Sequence, residues 1–412
     1  MTRQPRVVVT GLGVVDANAW GASEAAAFFE NPDPRPTEID RSAGFHRRDG
    51  SRRALLVDTA QQSRWLSPLA ARRMSAISRF AVCASKMAIE DAGLDPCDIG
   101  TRSAVVISTA YGAAKISEQI LRQCFLEGPA ALSPALFTES VANAPAAQVA
   151  LACGANGPNI TVTQNQAGPA VALVQSLNEL RSSRCDRVLV GAADEMTPLL
   201  HAVLDRFLAL ARPGDDGSER ARPFDRDRNG WLASEGATVA LLELESTARD
   251  RRAPILAEVI AAGSAFDPWS PRSGWSRDPK TLAKPLVGFL RNTGSTPADI
   301  TIAVSGACGH RGADRLEGGI LLEAWADRPL PSIIAPAAVS GAHGGSLLAG
   351  AILAANGRKF GPTPGFKHPD PELGIVPHAG KALAPQNRVL LTCCAVGGAA
   401  GWALLGPGES CT

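Results

Sequence analysis

Hydrophobic positions along the chain fall into two alternating patterns. Short runs that are almost wholly apolar, clearest at 103–109, 187–193 and 388–395, are typical of strands buried on both faces of a sheet. Between them lie segments in which apolar residues recur at helical spacing, such as 72–92, which ends at Gly93. Strands of this kind that alternate with helices predict an α/β fold whose sheets are covered by helices on both sides.

The remaining apolar runs add to the predicted sheet. Further strands are predicted at 6–10, 160–163, 237–244, 254–262, 300–304 and 331–335. Gly11-Leu12-Gly13 follows the first of these strands, and we interpret it as a tight turn, because the third glycine of a dinucleotide-binding fingerprint is missing. Residues 31–68 are polar, rich in proline and arginine and poorly periodic, which predicts loop and short helix.

Two parts of the chain repeat the same pattern. The strand at 187–193 matches 388–394 in kind and in place, and the strand and turn at 103–112 have a counterpart at 300–309. We infer an internal duplication, with one βα half at residues 1–250 and the second half at residues 251–412.

Composition narrows the class of protein further. The formal net charge of the 412 residues is +1, which gives no indication of a nucleic-acid or anionic-membrane partner. No apolar run reaches the roughly 18 residues that a membrane span needs, and residues 1–15 are predicted to be the first strand rather than a signal peptide. The nine cysteines include no CxxC pair, which favours reduced thiols and a cytoplasmic protein, and no metal site is predicted.

The segment Asn159–Ala170 changes from strand to helix within a few residues. Alternating β-branched residues predict the strand, whereas Pro169 suits the first turn of a helix, because its φ is helical and its missing N–H would have no partner there. The chain therefore turns sharply at 166–168, and such an elbow presents one side chain beside the free N–H groups of a helix N-terminus. A nucleophilic enzyme would place Ser or Cys there, but this chain has Gln166, whose amide cannot form an acyl-enzyme.

Several motifs resemble those of the β-ketoacyl-acyl carrier protein synthases, and the resemblance extends from Val7 to Leu405. The motifs are Gly11-Leu12-Gly13-Val14-Val15, Gly157-Pro158 before the elbow, Arg222-Pro223-Phe224-Asp225 with Gly230 and Glu235-Gly236-Ala237, and Asp314 with Glu317. The resemblance implies a thiolase-like fold, in which two stacked sheets lie between helix layers in the order αβαβα. It also implies an obligate dimer in which the strand made of Ile160, Thr161, Val162 and Thr163 pairs across the dimer axis.

The chain departs from the condensing enzymes of this family at the positions that the resemblance assigns to catalysis. The replacements are Gln166 for a cysteine, Gly306 and Ala342 for two histidines, Ala337 for a lysine, and Cys394 and Val396 for a pair of phenylalanines. Without a thiolate no thioester intermediate forms, and without two imidazoles no donors hold the enolate that decarboxylation of a malonyl group produces. We therefore predict that this chain alone does not catalyse condensation.

This combination resembles the chain-length factor, or ketosynthase-β subunit, of type II polyketide synthases. The resemblance implies a heterodimer with a competent ketosynthase-α subunit, to which an acyl carrier protein brings the acyl chain on phosphopantetheine, and no cofactor bound by the chain itself. The implied determinants of the tunnel for the growing chain are Ala114, Ser117 and Leu121, with Tyr111 and Gln166 as further wall residues. Because Ala114 and Ser117 are small, we expect a deep tunnel and a long or straight product of the polyene type.

Several alternatives stay open at this level. Gln166 could serve a decarboxylase that makes starter units from malonyl carrier protein, or it could be a relic, and the chain could be a purely structural partner. His343 would be the family's second histidine if a gap of one residue is allowed. Cys308 and His310 place a thiol and an imidazole on one turn, although an inert buried cysteine is the commoner case. Tyr111 is either a tunnel residue or a core or interface aromatic.

Overall fold

The computed structural model describes residues 4–214, 216–326, 328–383 and 387–408. The strands are β1 (Val7–Val15), β2 (Thr37–Glu38), β3 (Arg53–Leu55), β4 (Ser103–Ser108), β5 (Asn159–Val162), β6 (Arg187–Asp194), β7 (Ala233–Ser234), β8 (Gly236–Leu244), β9 (Ala257–Phe266), β10 (Ile300–Ser305), β11 (Ser332–Ile334), β12 (Arg388–Cys394) and β13 (Ala399–Pro407). The helices are α1 (Ala22–Glu30), α2 (Pro68–Ala71), α3 (Ala76–Asp91), α4 (Ala114–Glu127), α5 (Pro134–Ser140), α6 (Ala144–Cys153), α7 (Gly168–Arg181), α8 (Pro198–Arg206), α9 (Glu245–Asp250), α10 (Lys280–Asn292), α11 (Arg311–Trp325), α12 (Ala337–Ser340) and α13 (Gly344–Ala355).

Ten strands form one hydrogen-bonded series in the order β11-β10-β12-β13-β9-β1-β8-β6-β4-β5. The two central strands, β1 and β9, pair antiparallel with each other. On either side of them the same sequence of pairings repeats: antiparallel, antiparallel, parallel and parallel. Each half therefore contributes five strands, and the duplication predicted from the apolar runs is confirmed. The remaining strands form a small separate sheet in the order β2-β3-β7.

Helices cover both halves and also separate them. The buried apolar side chains of α7 and α13, such as Leu173 and Leu348, share one core cluster with strand residues of both halves, including Val190 and Leu391. Helix α3 packs on the opposite face of the first half, and α10 and α11 cover that of the second. The order is helix, sheet, helix, sheet and helix, which is the predicted αβαβα arrangement. Burial of the apolar side chains in these three clusters is the main driving force for this arrangement.

The first strand corrects one prediction. Gly11-Leu12-Gly13 is not a turn, because β1 continues through it to Val15, with a shift of register between Val9 and Gly11. A Cβ atom on Gly13 would lie 1.9 Å from the carbonyl oxygen of Ala84 in α3. The glycines therefore allow the backbone of α3 to approach the strand closely. Glycine serves such close contacts as well as tight turns.

The structure also differs from the sequence-based predictions in where some elements begin and in several elements that were not predicted. Helix α3 begins at Ala76 instead of 72, because Ser75 precedes it with extended φ and ψ and its hydroxyl accepts a hydrogen bond from the N–H of Ser78. Helix α10 and strand β13 were not predicted, and neither was the small sheet of β2, β3 and β7.

Candidate functional site

The predicted elbow lies between β5 and α7. A short 3-10 turn at Asn165–Ala167 connects the strand to the helix, and Pro169 lies in the first helical turn. Asn165 has a φ of 47°, in the left-handed region that few residues other than glycine and asparagine adopt. This reversal directs the residue that follows it, Gln166, toward the second half of the chain.

A small cavity of about 40 Å³ brings the elbow together with the second half. Its lining consists of Gln166, Trp231, Ser305, Gly306, Cys308, Ala337, Ala342, His343, Gly344, Ser346 and Leu347. Four of the six positions at which the motifs depart from those of condensing enzymes, Gln166, Gly306, Ala337 and Ala342, therefore meet in one place. They come from one segment of the first half and three segments of the second.

Two side chains in this cavity have polar atoms without a hydrogen-bond partner. They are the Oε1 atom of Gln166 and both ring nitrogens of His343. Burial lowers the pKa of His343 to about 4, so the imidazole is neutral at pH 7. The cavity thus retains one imidazole although Ala342 occupies the position assigned to it by the motif. Sequence reasoning raised His343 only as a shifted histidine, and the side chain lies where that alternative requires it.

The turn that carries Gly306 and Cys308 is held by a buried carboxylate. Asp314 Oδ1 accepts hydrogen bonds from the N–H groups of Cys308 (2.9 Å) and Gly309 (3.1 Å), and Oδ2 accepts one from Phe224 (2.8 Å). Burial raises the pKa of Asp314 to about 6, against the effect of these three donors. The motif residues Phe224 and Asp314 therefore shape the cavity wall by fixing its backbone.

Cys308 and His310 do not form a thiol–imidazole pair. The His310 Nδ1 atom accepts a hydrogen bond from the N–H of Gly312 at the start of α11, at 3.1 Å. The Cys308 side chain is buried, and burial raises its thiol pKa well above the ordinary value. Such a thiol is an inert wall residue, because the thiolate is the reactive form.

A second buried carboxyl group, that of Glu317, lies behind Gly306. Its Oε2 atom accepts hydrogen bonds from the hydroxyl groups of Ser305 (3.3 Å) and Thr392 (3.2 Å), while Oε1 has no partner. A Cβ atom on Gly306 would lie 3.2 Å from Oε1, so any larger side chain there would press on this carboxyl group. Burial raises the pKa of Glu317 to about 7.

A third carboxylate, which sequence reasoning did not single out, connects the two halves. Asp194 Oδ1 accepts hydrogen bonds from the Thr109 hydroxyl (3.0 Å) and the Ala110 N–H (2.8 Å), and Oδ2 lies 3.4 Å from the N–H of Gly344 in the cavity wall. Tyr111 follows directly. Its phenol pKa is raised by burial and by the nearby Asp194 and Cys308, and its side chain is not among those that line the cavity.

The proposed tunnel residues on α4 lie apart from the cavity. None of Ala114, Ser117 and Leu121 lines it. The Ser117 hydroxyl donates a hydrogen bond to the Ser140 carbonyl at 3.1 Å, and the Leu121 side chain is 56% exposed. Three further large apolar side chains of α4 and α5 are also exposed. We call this group, Leu121, Phe125, Leu126 and Phe137, the α4–α5 surface.

Strand β5 lies at one end of the ten-strand series. It pairs with β4 from Val105↔Asn159 to Ser108↔Val162, and its other edge has no strand beside it among the described residues. Ile160 and Thr161 are half-buried, and the hydroxyl of Thr161 has no hydrogen-bond partner. An open strand edge is a template for pairing with another chain.

The described residues also offer one group of potential metal ligands, Asp225, Asp227 and His368. Asp225 Oδ2 accepts hydrogen bonds from the N–H groups of Lys367 (2.6 Å) and His368 (2.7 Å), and Asp227 contacts the His368 ring at 2.9 Å. These contacts account for the arrangement, which ties the 222–228 segment to residues 367–368. Among the described helices, none combines the length and hydrophobicity of a membrane span.

Comparisons with known proteins agree with this architecture. The family model for the beta-ketoacyl synthase N-terminal domain matches residues 4–248. The chain is 30% identical to the tetracenomycin polyketide synthase ketoacyl synthase alpha subunit of Streptomyces glaucescens, over 94% of each chain. It therefore belongs to the β-ketoacyl synthase family, as the motifs predicted, and its fold is thiolase-like.

Solved structures support the same assignment. The ishigamide ketosynthase/chain length factor superposes with a TM-score of 0.87 at 27% identity and covers 98% of this chain and 100% of that chain. AntDE:AntF, a type II PKS acyl-carrier protein in complex with its ketosynthase bound to the hexaketide, also gives a TM-score of 0.87, covering 99% of this chain and 100% of that chain. The identity in that case is 22%, so this second likeness supports the fold alone.

Proposed function

We propose that the chain is a non-condensing, chain-length-factor subunit of a polyketide synthase, which pairs with a ketosynthase that has a catalytic cysteine and shapes the tunnel for the growing chain. The observation that carries the proposal is the side chain of Gln166 at the elbow, beside a cavity that also contains Gly306 and Ala342. An amide provides no nucleophile for acyl transfer. The fold is intact, so the loss of chemistry leaves a structural and shaping role.

The proposed partner surface consists of the free edge of β5 and the α4–α5 surface. Phe125 is 84% exposed and Leu126 is 72% exposed, which is unusual for large apolar side chains that lie close together. Backbone pairing at the strand edge and burial of these side chains are the two contributions expected at a stable interface of this kind. Residues Ile160 to Thr163 would then lie at the centre of the heterodimer.

The acyl substrate would be delivered to the partner ketosynthase by a carrier protein. In this proposal an acyl carrier protein delivers the acyl group on phosphopantetheine to the ketosynthase, and this chain binds no cofactor of its own. The growing chain would pass Ala114, Ser117 and Leu121 on α4, with Tyr111 and Gln166 nearer the cavity. Small side chains at Ala114 and Ser117 leave room for a long, straight product, such as a polyene.

Co-purification tests the partner surface. A ketosynthase whose gene lies beside the gene for this chain is expected to co-purify with it. Phe125→Asp is expected to abolish the complex, because a carboxylate would be buried in the interface without a partner. Phe207→Asp is the matched control, since Phe207 is 76% exposed and lies outside the α4–α5 surface. A complex that survives Phe125→Asp, or a chain that remains a homodimer beside every candidate ketosynthase, would contradict the proposal.

Product length tests the tunnel and separates it from a purely structural role. Ala114→Phe in the heterodimer is expected to shorten the product, as measured by mass spectrometry. Gln119→Phe, on the exposed face of the same helix, is the control and should leave the length unchanged. If the Ala114→Phe complex forms and the product length does not change, the chain is a scaffold and the tunnel role is wrong.

His343 favours a second candidate function, the decarboxylation of malonyl carrier protein to acetyl carrier protein. In this step the bond between the malonyl carboxylate and its α-carbon breaks, carbon dioxide leaves, and the α-carbon of the enolate takes up a proton from water. The Gln166 amide and the His343 imidazole would donate hydrogen bonds to the enolate oxygen. Release of carbon dioxide by the isolated chain, lost in both Gln166→Ala and His343→Ala, would favour this function over the first.

A further inference from the structure

Three aromatic rings from three segments lie in series beside the cavity. Trp231 lines the cavity and is 7% exposed. The His310 ring lies between it and Trp275, with ring centroids 5.6 Å from Trp231 and 5.8 Å from Trp275. These separations are those of contacting aromatic pairs. We call Trp231, His310 and Trp275 the ring stack, which extends from the buried wall to the half-exposed Trp275.

Two of the three rings, His310 and Trp275, are fixed from a second direction. His310 is held by its hydrogen bond from the N–H of Gly312, at the start of α11. Trp275 lies against Gly312 itself, where a Cβ atom would be 2.5 Å from Trp275 Cδ1. The loop that carries Trp275 is tied to the turn between β12 and β13, because Gly274 accepts a hydrogen bond from the N–H of Gly397 at 2.9 Å. The ring stack is therefore a packed part of the structure.

We propose that the ring stack closes the cavity on the side of Trp231 and Cys308, so that a substrate on a long pantetheine arm cannot reach Gln166 past these rings. Trp231 lines the cavity beside Cys308, and His310 and Trp275 pack behind it, so an arm that entered beside the turn at 306–310 would have to displace these rings. Small solutes can still enter through brief openings. The inference concerns access alone, so it does not depend on the chain having a partner or a product.

A cysteine at the elbow can report on this access. Gln166→Cys is alkylated in the purified full-length chain with two reagents that share one reacting group: chloroacetamide, and the same chloroacetamide attached to pantetheine. The cysteine sulfur displaces chloride in both cases. Peptide mass spectrometry assigns the label to residue 166, which separates it from the exposed Cys97 and the partly exposed Cys124. The ratio of the two rates cancels differences in thiol reactivity.

We expect the pantetheine reagent to label Gln166→Cys at least about tenfold more slowly than chloroacetamide, a factor that corresponds to about 1.4 kcal/mol. Adding Trp275→Ala should remove most of this difference. His310→Asn should do the same while keeping the cap of α11, because asparagine also accepts a hydrogen bond from the first helical turn. Trp269→Ala is the matched control: it lies in the same loop, is 87% exposed, and should leave the ratio unchanged.

Three results would overturn the proposal. The first is equal labelling of Gln166→Cys by both reagents, which would mean that the cavity is open to the arm. The second is a ratio that stays high in both Trp275→Ala and His310→Asn, which would assign the barrier to other residues. The third is an equal loss of the ratio in Trp269→Ala, which would assign it to the loop as a whole. None of these results depends on co-purification or product length, so they leave the chain-length-factor role to its own tests, whereas slow labelling by the pantetheine reagent would count against decarboxylation by the isolated chain.

Discussion

Replacing the buried carboxyl group of Glu317 should change how the stability of the protein depends on pH. Burial raises the pKa of Glu317 from 4.5 to about 7 in the folded chain. Between these values the folded state holds a proton that the unfolded state has lost, so the free energy of unfolding falls as pH rises. The pKa difference of about 2.5 units corresponds to about 1.36 kcal/mol per unit. Ionisation of Glu317 therefore lowers the free energy of unfolding by about 3 kcal/mol at pH 8 and by less than about 1 kcal/mol at pH 5.

Glu317→Gln removes the charge and keeps the acceptor oxygen for Ser305 and Thr392. We expect the variant to be more stable than the parent by about 3 kcal/mol at pH 8 and nearly equal to it at pH 5. Urea denaturation at pH 5, 6, 7 and 8 measures the difference. Glu323→Gln is the control on the same helix, because that side chain is 41% exposed and its replacement removes no buried carboxyl group. Parallel curves for Glu317→Gln and its parent would refute the argument.

Further predictions follow from packing and from a buried ion pair. Gly13→Ala should cost about 2–3 kcal/mol in thermal unfolding, because its Cβ would lie 1.9 Å from the Ala84 carbonyl oxygen. Gly288→Ala, in α10 with open space around it, should instead stabilise by about 0.5–1 kcal/mol, and a loss there would contradict the reasoning. Arg228→Met should cost about 3 kcal/mol or more, because it removes the guanidinium that lies 2.5 Å from the buried Asp370 and leaves that carboxylate with only the N–H of Glu372 as donor. Asp370→Leu added to it should recover part of that loss, and no recovery would be the contrary result.

The sequence predicted most of the large sheet because its central strands are buried on both faces. Runs such as 103–108 and 187–194 are mostly apolar, and a run of this kind can be recognised from the sequence as a buried strand. Gly11 and Gly13 misled the reasoning, because a glycine that admits a helix looks the same in sequence as one that makes a turn. Helix α10 was missed because Pro285 lies inside it, and proline ordinarily indicates the end of a helix.

The motif residues of the site could be predicted from the sequence, but the residues that pack around them could not. The elbow motif identified Gln166, and the alignment of motifs identified Gly306, Ala337 and Ala342, all of which line the cavity. Trp231 and Asp194 gave no signal, because their roles depend on segments far apart in the chain. The sequence indicated His343 as a cavity residue only if a gap of one residue was allowed. A one-residue shift in a short glycine-rich segment cannot be resolved by pattern alone, whereas the fold places His343 directly at the cavity.

The central claim, that this chain does not itself carry or extend an acyl group, is tested most directly by intact-mass spectrometry. The purified chain is incubated alone with an acyl-loaded carrier protein and then with malonyl carrier protein. The account predicts that its mass stays unchanged and that no lengthened acyl chain forms on the carrier. A mass increase equal to the acyl group, together with a lengthened product, would contradict the account.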